Sequence, residues 1–192
     1  MTSTGSTKVA DRISVVSAGR DRRSRRPMSR LCATTPAIAA ELKVATGDSI
    51  QTVLTAQKGV RVTLRLDASR RRAHMRFHTA THLLCALVPY PVDGCSITAG
   101  YARLDFHTNE PLDKESLNAG LARLVAQSSP VRHRWISEDE LDANPGLVRS
   151  MSVQPPRGLG RVRVIDIEGV DLQPCGGTHV ANTREVGPIR IT

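Results

Sequence analysis

The sequence predicts an α+β fold, a largely antiparallel sheet packed with two main helices, and three observations predict it. Stretches such as VRVTLRLD at 60–67, ARLDF at 102–106 and RVRVIDIE at 161–168 alternate apolar and polar residues, the pattern of half-buried strands. Two longer stretches, 69–88 and 112–129, carry apolar residues at helical spacing. The two kinds of segment do not follow one another as regular βαβ units, so a parallel, doubly wound sheet is not expected.

Taken in order, residues 1–34 mix Ser, Thr, Gly and Arg without sustained periodicity. Such a segment buries too little to offset its own ordering entropy, so it reads as a basic, disordered arm. Its Arg- and Ser-rich character loosely resembles a transit peptide, and Met28 offers an alternative start. Residues 35–68 are expected to form a short β segment, in which SIQTVLTAQKG at 49–59 could pair with the strand at 60–67 as a hairpin, with Gly59 helping the turn. The domain proper is expected over 69–192. Its first helix, SRRRAHMRFHTATHLLCALV, lacks Gly and Pro and is stopped by Pro89. SITAGYARLDFH supplies a strand with Ala102, Leu104 and Phe106 on one face. Leu117, Leu121, Leu124 and Val125 mark the second helix, with Asp113 as its cap. PVRHRWI at 130–136 reads as a strand, and Ser137 with Glu140 has capping-box spacing for a short acidic helix. RVRVIDIE follows as a strand, and EVGPIRIT closes the chain as an edge strand because it contains Pro188.

Composition narrows the function. At 192 residues the chain suits one domain with extensions. Its longest useful apolar run, LLCALV, is far short of the roughly 20 residues that span a bilayer. The four cysteines, Cys32, Cys85, Cys95 and Cys175, form no CxxC pair and follow no secretory signal, which fits a reducing cytoplasm better than a disulfide framework. Net charge is +9, and residues 1–76 carry a balance of +11, an electrostatic attraction for polyanions such as nucleic acid. With one Trp, two Tyr and two Phe, stacking on aromatic platforms is not the expected means of holding single-stranded nucleic acid.

Chemistry concentrates at two places. His78 and His82 sit four apart on the first helix, which puts both imidazoles on one face at metal-ligand spacing. His74 lies on the same stripe and offers a substitute. Cys175 and His179, in PCGGTHV, converge on one ion only if the backbone between them turns sharply, and Gly176 and Gly177 permit the positive φ of such a turn. Together the four make a His3Cys set, within the nitrogen and sulfur chemistry that zinc prefers. A metalloprotease is excluded, because Thr79 stands where that motif needs a Glu.

The segments RFHTATHLL at 76–84, YARLDFH at 101–107 and MSVQPPRGLGRVRVIDIEGVDLQPCGGTHVANTREVGPIRI at 151–191 resemble, in order and spacing, the free-standing alanyl-tRNA editing proteins of the AlaX type. These are related to the editing domains of alanyl- and threonyl-tRNA synthetases, and the resemblance covers about residues 60–192. It implies a trans-editing hydrolase that removes serine, and secondarily glycine, from mischarged tRNA(Ala), with one Zn2+ per chain on His78, His82, Cys175 and His179. Water is the expected nucleophile. Thr79 and Thr178, each beside a ligand, position the substrate hydroxyl or the water, or else orient their ligands. Arg103 and Asp105 support the site or form a surface pair. Arg70, Arg71, Arg72 and Arg76 oppose the dipole of the helix they open, an arrangement suited to an approaching tRNA phosphate.

Three departures from the family are visible. Residues 1–59 carry no GGG segment like that of the N-terminal barrel in relatives, so residues 35–68 read as a remnant of such a barrel or a domain edge. The chain stops at Thr192 where relatives continue with a basic segment. The loop GCSITAG at 94–100 stands where relatives carry a Gln. The rival expectation is a non-catalytic zinc-containing module, a degenerate paralogue that binds tRNA or a protein partner.

Overall fold

In the computed structural model, residues 11–17 and 66–192 are described. The chain divides into two units, residues 1–20 with 72–192, and residues 21–71, of which only 66–71 are described. The strand expected at 60–67 and its partner at 49–59 therefore lie outside the described residues, except that Leu66 and Asp67 belong to no strand.

Among the described residues the strands and α-helices follow in the order β1 (Asp11–Ser17), α1 (Ala68–Leu87), β2 (Val92–Ile97), β3 (Tyr101–Phe106), α2 (Lys114–Ala126), β4 (Val131–Ser137), α3 (Glu138–Ala143), β5 (Arg161–Ile167), β6 (Asp171–Pro174) and β7 (Ile189–Ile191). Two sheets result, one ordered β2-β3-β1-β7 and one ordered β4-β5-β6, with antiparallel pairing throughout. The α+β class and the antiparallel sheets are thus as the sequence predicts.

One correction concerns the arm. Residues 11–17, expected to be disordered, form the strand between β3 and β7, and Ile13 and Val15 are fully buried. The stretch RISV is a single short alternation inside a polar segment; pairing on both edges satisfies its backbone, and packing into the main core buries Ile13 and Val15. A second correction concerns GCSITAG, expected as a loop. Gly94–Ile97 belong to β2, and only Thr98–Gly100 make the turn to β3, where the Thr98 hydroxyl accepts from the backbone N–H groups of Gly100 and Tyr101. Asp171–Pro174 forms β6, a strand the sequence reading does not contain.

Elsewhere local chemistry explains the boundaries. Asp67 accepts from the N–H of Arg70 and opens α1. The end of α1 is closed by Arg149, whose guanidinium donates to the carbonyls of Cys85 (2.7 Å) and Val88 (2.6 Å), a cation where the helix dipole favours one. Asp113 caps α2 and Ser137 caps α3 by accepting from Glu140 N–H at 3.0 Å. Pro188 immediately precedes β7, which lies at the edge of its sheet.

The main core joins both sheets to α1 and α2, with Phe77, Leu83, Leu84, Phe106, Leu121, Ile165 and Ile167 among its buried members. A smaller cluster, Ile136, Leu141, Val162 and Val164, seats α3 against the other face of β4 and β5. This division places α1 on the face of the β4-β5-β6 sheet that carries Ile165 and Ile167. No helix among the described residues is long and apolar enough to cross a membrane.

Candidate metal centre

Two pairs of side chains meet from segments a hundred residues apart. His78 and His82 project from one face of α1, where the buried run Phe77 to Cys85, broken only at His78, holds the helix against the sheet. Cys175 and His179 come from the turn after β6. The ligand atoms of the four lie within 4.8 Å of one another. Cys175 Sγ is 3.5 Å from His78 Nε2 and 3.4 Å from His179 Nε2. A four-coordinate ion with the usual Zn–N and Zn–S lengths spaces its ligand atoms about 3.4–3.6 Å apart, so the donor set and these two sulfur–nitrogen distances fit zinc. His74 is not one of the four.

The turn is built differently from the sequence expectation. Neither Gly176 nor Gly177 has a positive φ. Gly177 is required for space instead: a Cβ there would overlap the His78 ring, whereas one on Gly176 would meet nothing within 4 Å. Arg163 of β5 holds the turn, donating to the carbonyls of Cys175 (2.6 Å) and Gly177 (2.9 Å), while Cys175 N–H extends the ladder to the Arg163 carbonyl (3.1 Å). The Gly177 N–H points at the sulfur, 3.4 Å away.

Partners behind two of the ligands orient their rings. His82 Nδ1 lies 2.9 Å from Asp171 Oδ2 with both side chains buried, so its Nε2 is left for the cluster. Gln173 in turn donates to both Asp171 oxygens at 2.8 and 2.9 Å. His179 Nδ1 lies 3.2 Å from the Thr79 hydroxyl, which also accepts from Val180 N–H at 3.3 Å. Burial alone would raise the Cys175 thiol, yet hydrogen bonds from His179, His78 and His82 outweigh it and bring the group down to about 3. Burial lowers His179 to about 4. Burial also works against charge on His82, but Asp171 and the Cys175 thiolate reverse the sign and hold it at about 9. The pocket thus prepares a thiolate at Cys175 and a neutral imidazole at His179, the protonation states in which these groups ligate, whereas His82 gives up its Nε2 proton when it binds a metal.

The other sequence candidates fall in several places. Thr79 is fully buried against His179, and Thr178 is exposed on the turn. Arg103 pairs with Asp105 on β3 at 3.2 Å. Arg70 and Arg71 are exposed, whereas Arg72 pairs with Glu185 at 3.2 Å and Arg76 donates to the Val186 carbonyl at 2.7 Å, tying α1 to the segment before β7. Sequence reasoning missed Asp171, Gln173 and Arg163. A signal was present: residues 171, 173 and 175 alternate along an extended segment, which puts the carboxylate, the amide and the thiol on one face.

Parts of the sequence are similar to known proteins. Residues 162–192 match the family described as the threonyl and alanyl tRNA synthetase second additional domain. The chain is 32% identical over 132 residues to an alanyl-tRNA editing protein, AlaX-M, of Methanosarcina barkeri, covering 66% of this chain and 54% of that protein. It is 35% identical over 145 residues to the alanine–tRNA ligase of Pyrococcus abyssi and 34% identical over 152 residues to that of Synechocystis. Those matches cover 70% and 71% of this chain and 16% of each ligase. The chain therefore spans about half the length of the editing protein and about one sixth of the ligases.

Proposed function

We propose that this chain, a relative of the alanyl-tRNA editing proteins and of the alanine–tRNA ligases that contain the same region, hydrolyses the ester of mischarged tRNA(Ala), releasing serine and, second to it, glycine. The observation that carries the reading is the convergence of His78, His82, Cys175 and His179 from α1 and the turn after β6. One Zn2+ held there supplies a Lewis-acidic centre that fixes the aminoacyl end.

The chain's own groups account for the rest. Asp171, anchored by Gln173, accepts from His82 Nδ1 and leaves its Nε2 to ligate, and buried Thr79 orients the His179 ring through its Nδ1. Thr178, exposed on the same turn, is the threonine free to meet the substrate hydroxyl or the attacking water. Exposed Arg70 and Arg71 supply charge for tRNA phosphates, a role for which Arg72 and Arg76 are less available because they hold Glu185 and Val186. A hydrolytic second site is chemically warranted, because serine differs from alanine by one hydroxyl and an apolar pocket rejects such an addition only by about 10²-fold. We place the protein in the cytoplasm, where Cys175 stays reduced.

One observation favours a second reading. Four protein ligands close a tetrahedral zinc, as in structural sites, which is the arrangement of a non-catalytic module that binds tRNA or a protein. The experiment that separates the two follows Ser-tRNA(Ala), Gly-tRNA(Ala) and Ala-tRNA(Ala) with the purified protein and its His82→Ala and Cys175→Ala variants, with metal content assayed in parallel. Hydrolysis of the serine ester by the parent and its loss in both variants is expected. Spontaneous rates in a folded, zinc-loaded sample would leave the binding module, and a folded protein that takes up no zinc would remove both readings.

A further inference from the structure

The single tryptophan of the chain is unusually placed. Trp135 of β4 is 52% exposed, and the guanidinium of Arg161 lies 4.8 Å from the centre of its ring. In the register of the three-stranded sheet Trp135 stands opposite Arg163, and Arg163 stands beside Cys175, to whose carbonyl its side chain donates. Residues directly opposite share a face, so Trp135, Arg163 and Cys175 form one row across the sheet, on the face that also carries Asp171 and Gln173. Two strand spacings, about 10 Å, separate the first and last of that row. Arg132 and Arg134 belong to the opposite face and are neutralised by Glu168 and Asp166.

A half-exposed indole backed by a guanidinium, with Arg163 alone between it and the candidate metal centre, has the chemistry of a base-stacking platform. We propose that Trp135 and Arg161 receive a nucleobase at the single-stranded 3′ end of an RNA whose terminal ribose reaches the centre at Cys175. The span suits it: a terminal nucleotide, or the one before it, bridges about 10 Å between a stacked base and a group on the last ribose. Arg161 adds positive charge for the adjoining phosphate. The scarcity of aromatic residues still excludes a channel that stacks several bases; one platform for one base needs only one indole. The inference rests on the proposed action on aminoacyl-tRNA for the identity of the RNA, and it adds a positioning residue to that site.

The test uses the zinc-loaded full-length protein and a short single-stranded RNA ending in CCA with a free 3′ hydroxyl. Every tryptophan signal comes from Trp135. Saturable quenching of its emission is expected, weaker when the same sequence carries CCA at its 5′ end. By anisotropy of labelled RNA, Trp135→Ala weakens binding by about tenfold or more, and Trp135→Phe restores most of it. Because the position is exposed, these variants keep zinc and fold, which metal analysis and circular dichroism check. Unchanged emission on saturable binding, no saturable binding, or parental affinity in zinc-loaded Trp135→Ala would each overturn the proposal. So would emission that responds to protein concentration alone, which assigns the indole to contact between copies. The RNA carries no amino acid, so a platform that works beside an inert ester sinks only the hydrolase reading, and hydrolysis with a silent Trp135 sinks only the platform.

Discussion

Gly176 and Gly177 are chemically identical and adjacent, yet only one has a neighbour to meet. Since neither uses a positive φ, alanine costs no backbone strain at either, and the difference lies in the His78 ring that a Cβ at 177 would strike. Gly177→Ala is therefore expected to push His78 off the cluster and to weaken zinc binding severely, while Gly176→Ala leaves affinity within about twofold of the parent, as surface changes away from such contacts do. Competition with a chromophoric chelator measures both. Equal losses would return the turn to the conformational account that the sequence suggested. Asp171 is the other decisive residue. Removing the carboxylate frees the buried His82 ring to rotate, so Asp171→Ala should lower zinc affinity by about 10–100-fold without touching a ligand. An unchanged affinity would mean that packing alone holds the imidazole.

At the level of elements, what was legible depended on length and on where the burial comes from. The helices α1 and α2 and the strand β5 carry their patterns internally: the four-residue spacing of His78 and His82 is enough to put them on one face, and Asp113 and Ser137 cap as their sequence positions indicate. The strand β6 has four residues, so the alternation of 171, 173 and 175, though present, is too short to mark a strand without β5 beside it. With it went Asp171 and Gln173, whose roles exist only once β6 lies beside β5. Arg163 was hidden for the complementary reason, since an arginine in a strand reads as its solvent face until the turn it holds is in place. The link between α3 and the segment before β5 is equally non-local. Glu138 accepts from the N–H groups of Leu159 (3.0 Å) and Gly160 (2.8 Å). Hydrogen bonds from the backbone of Gly158, Gly160 and Leu159 lower its pKa from the ordinary 4.5. A carboxylate depressed in the folded state contributes stability that is fully present above its ordinary value and lost as the pH falls through the folded one. Exchange protection at Leu159 and Gly160 should accordingly fade in acid below pH 4.5 while the core of β5 stays protected. Glu138→Gln should show weak protection at those two amides at neutral pH as well; strong protection in that variant would assign the order of the segment to other contacts.

For the molecule as a whole, the decisive strand is the one composition argued against. β1 lies between β3 and β7, pairs with both, and buries Ile13 and Val15 completely. It is also where the last residue of the chain is tied, through Thr192 N–H to the Ser14 carbonyl at 2.9 Å. Without β1 the four-stranded sheet would lose its continuity, leaving β3 with an open edge and β7 with no partner in it, a template for association with other chains. A basic arm for polyanions and a central strand make opposite demands on residues 11–17, and one substitution tells them apart. Ile13→Ala should lower the free energy of unfolding by about 2–5 kcal/mol, the range for a buried aliphatic side chain cut to alanine, visible as a lower urea midpoint with an unchanged slope. A chain begun at Met28 should go further: lacking β1, it should be recovered mainly as aggregate, or fold only when a peptide spanning residues 8–20 is supplied. If that shortened chain proved monomeric, as stable as the full one and equally able to bind zinc, the sheet would have to close without residues 11–17. The metal centre would then be supported by α1 and the β4-β5-β6 sheet alone.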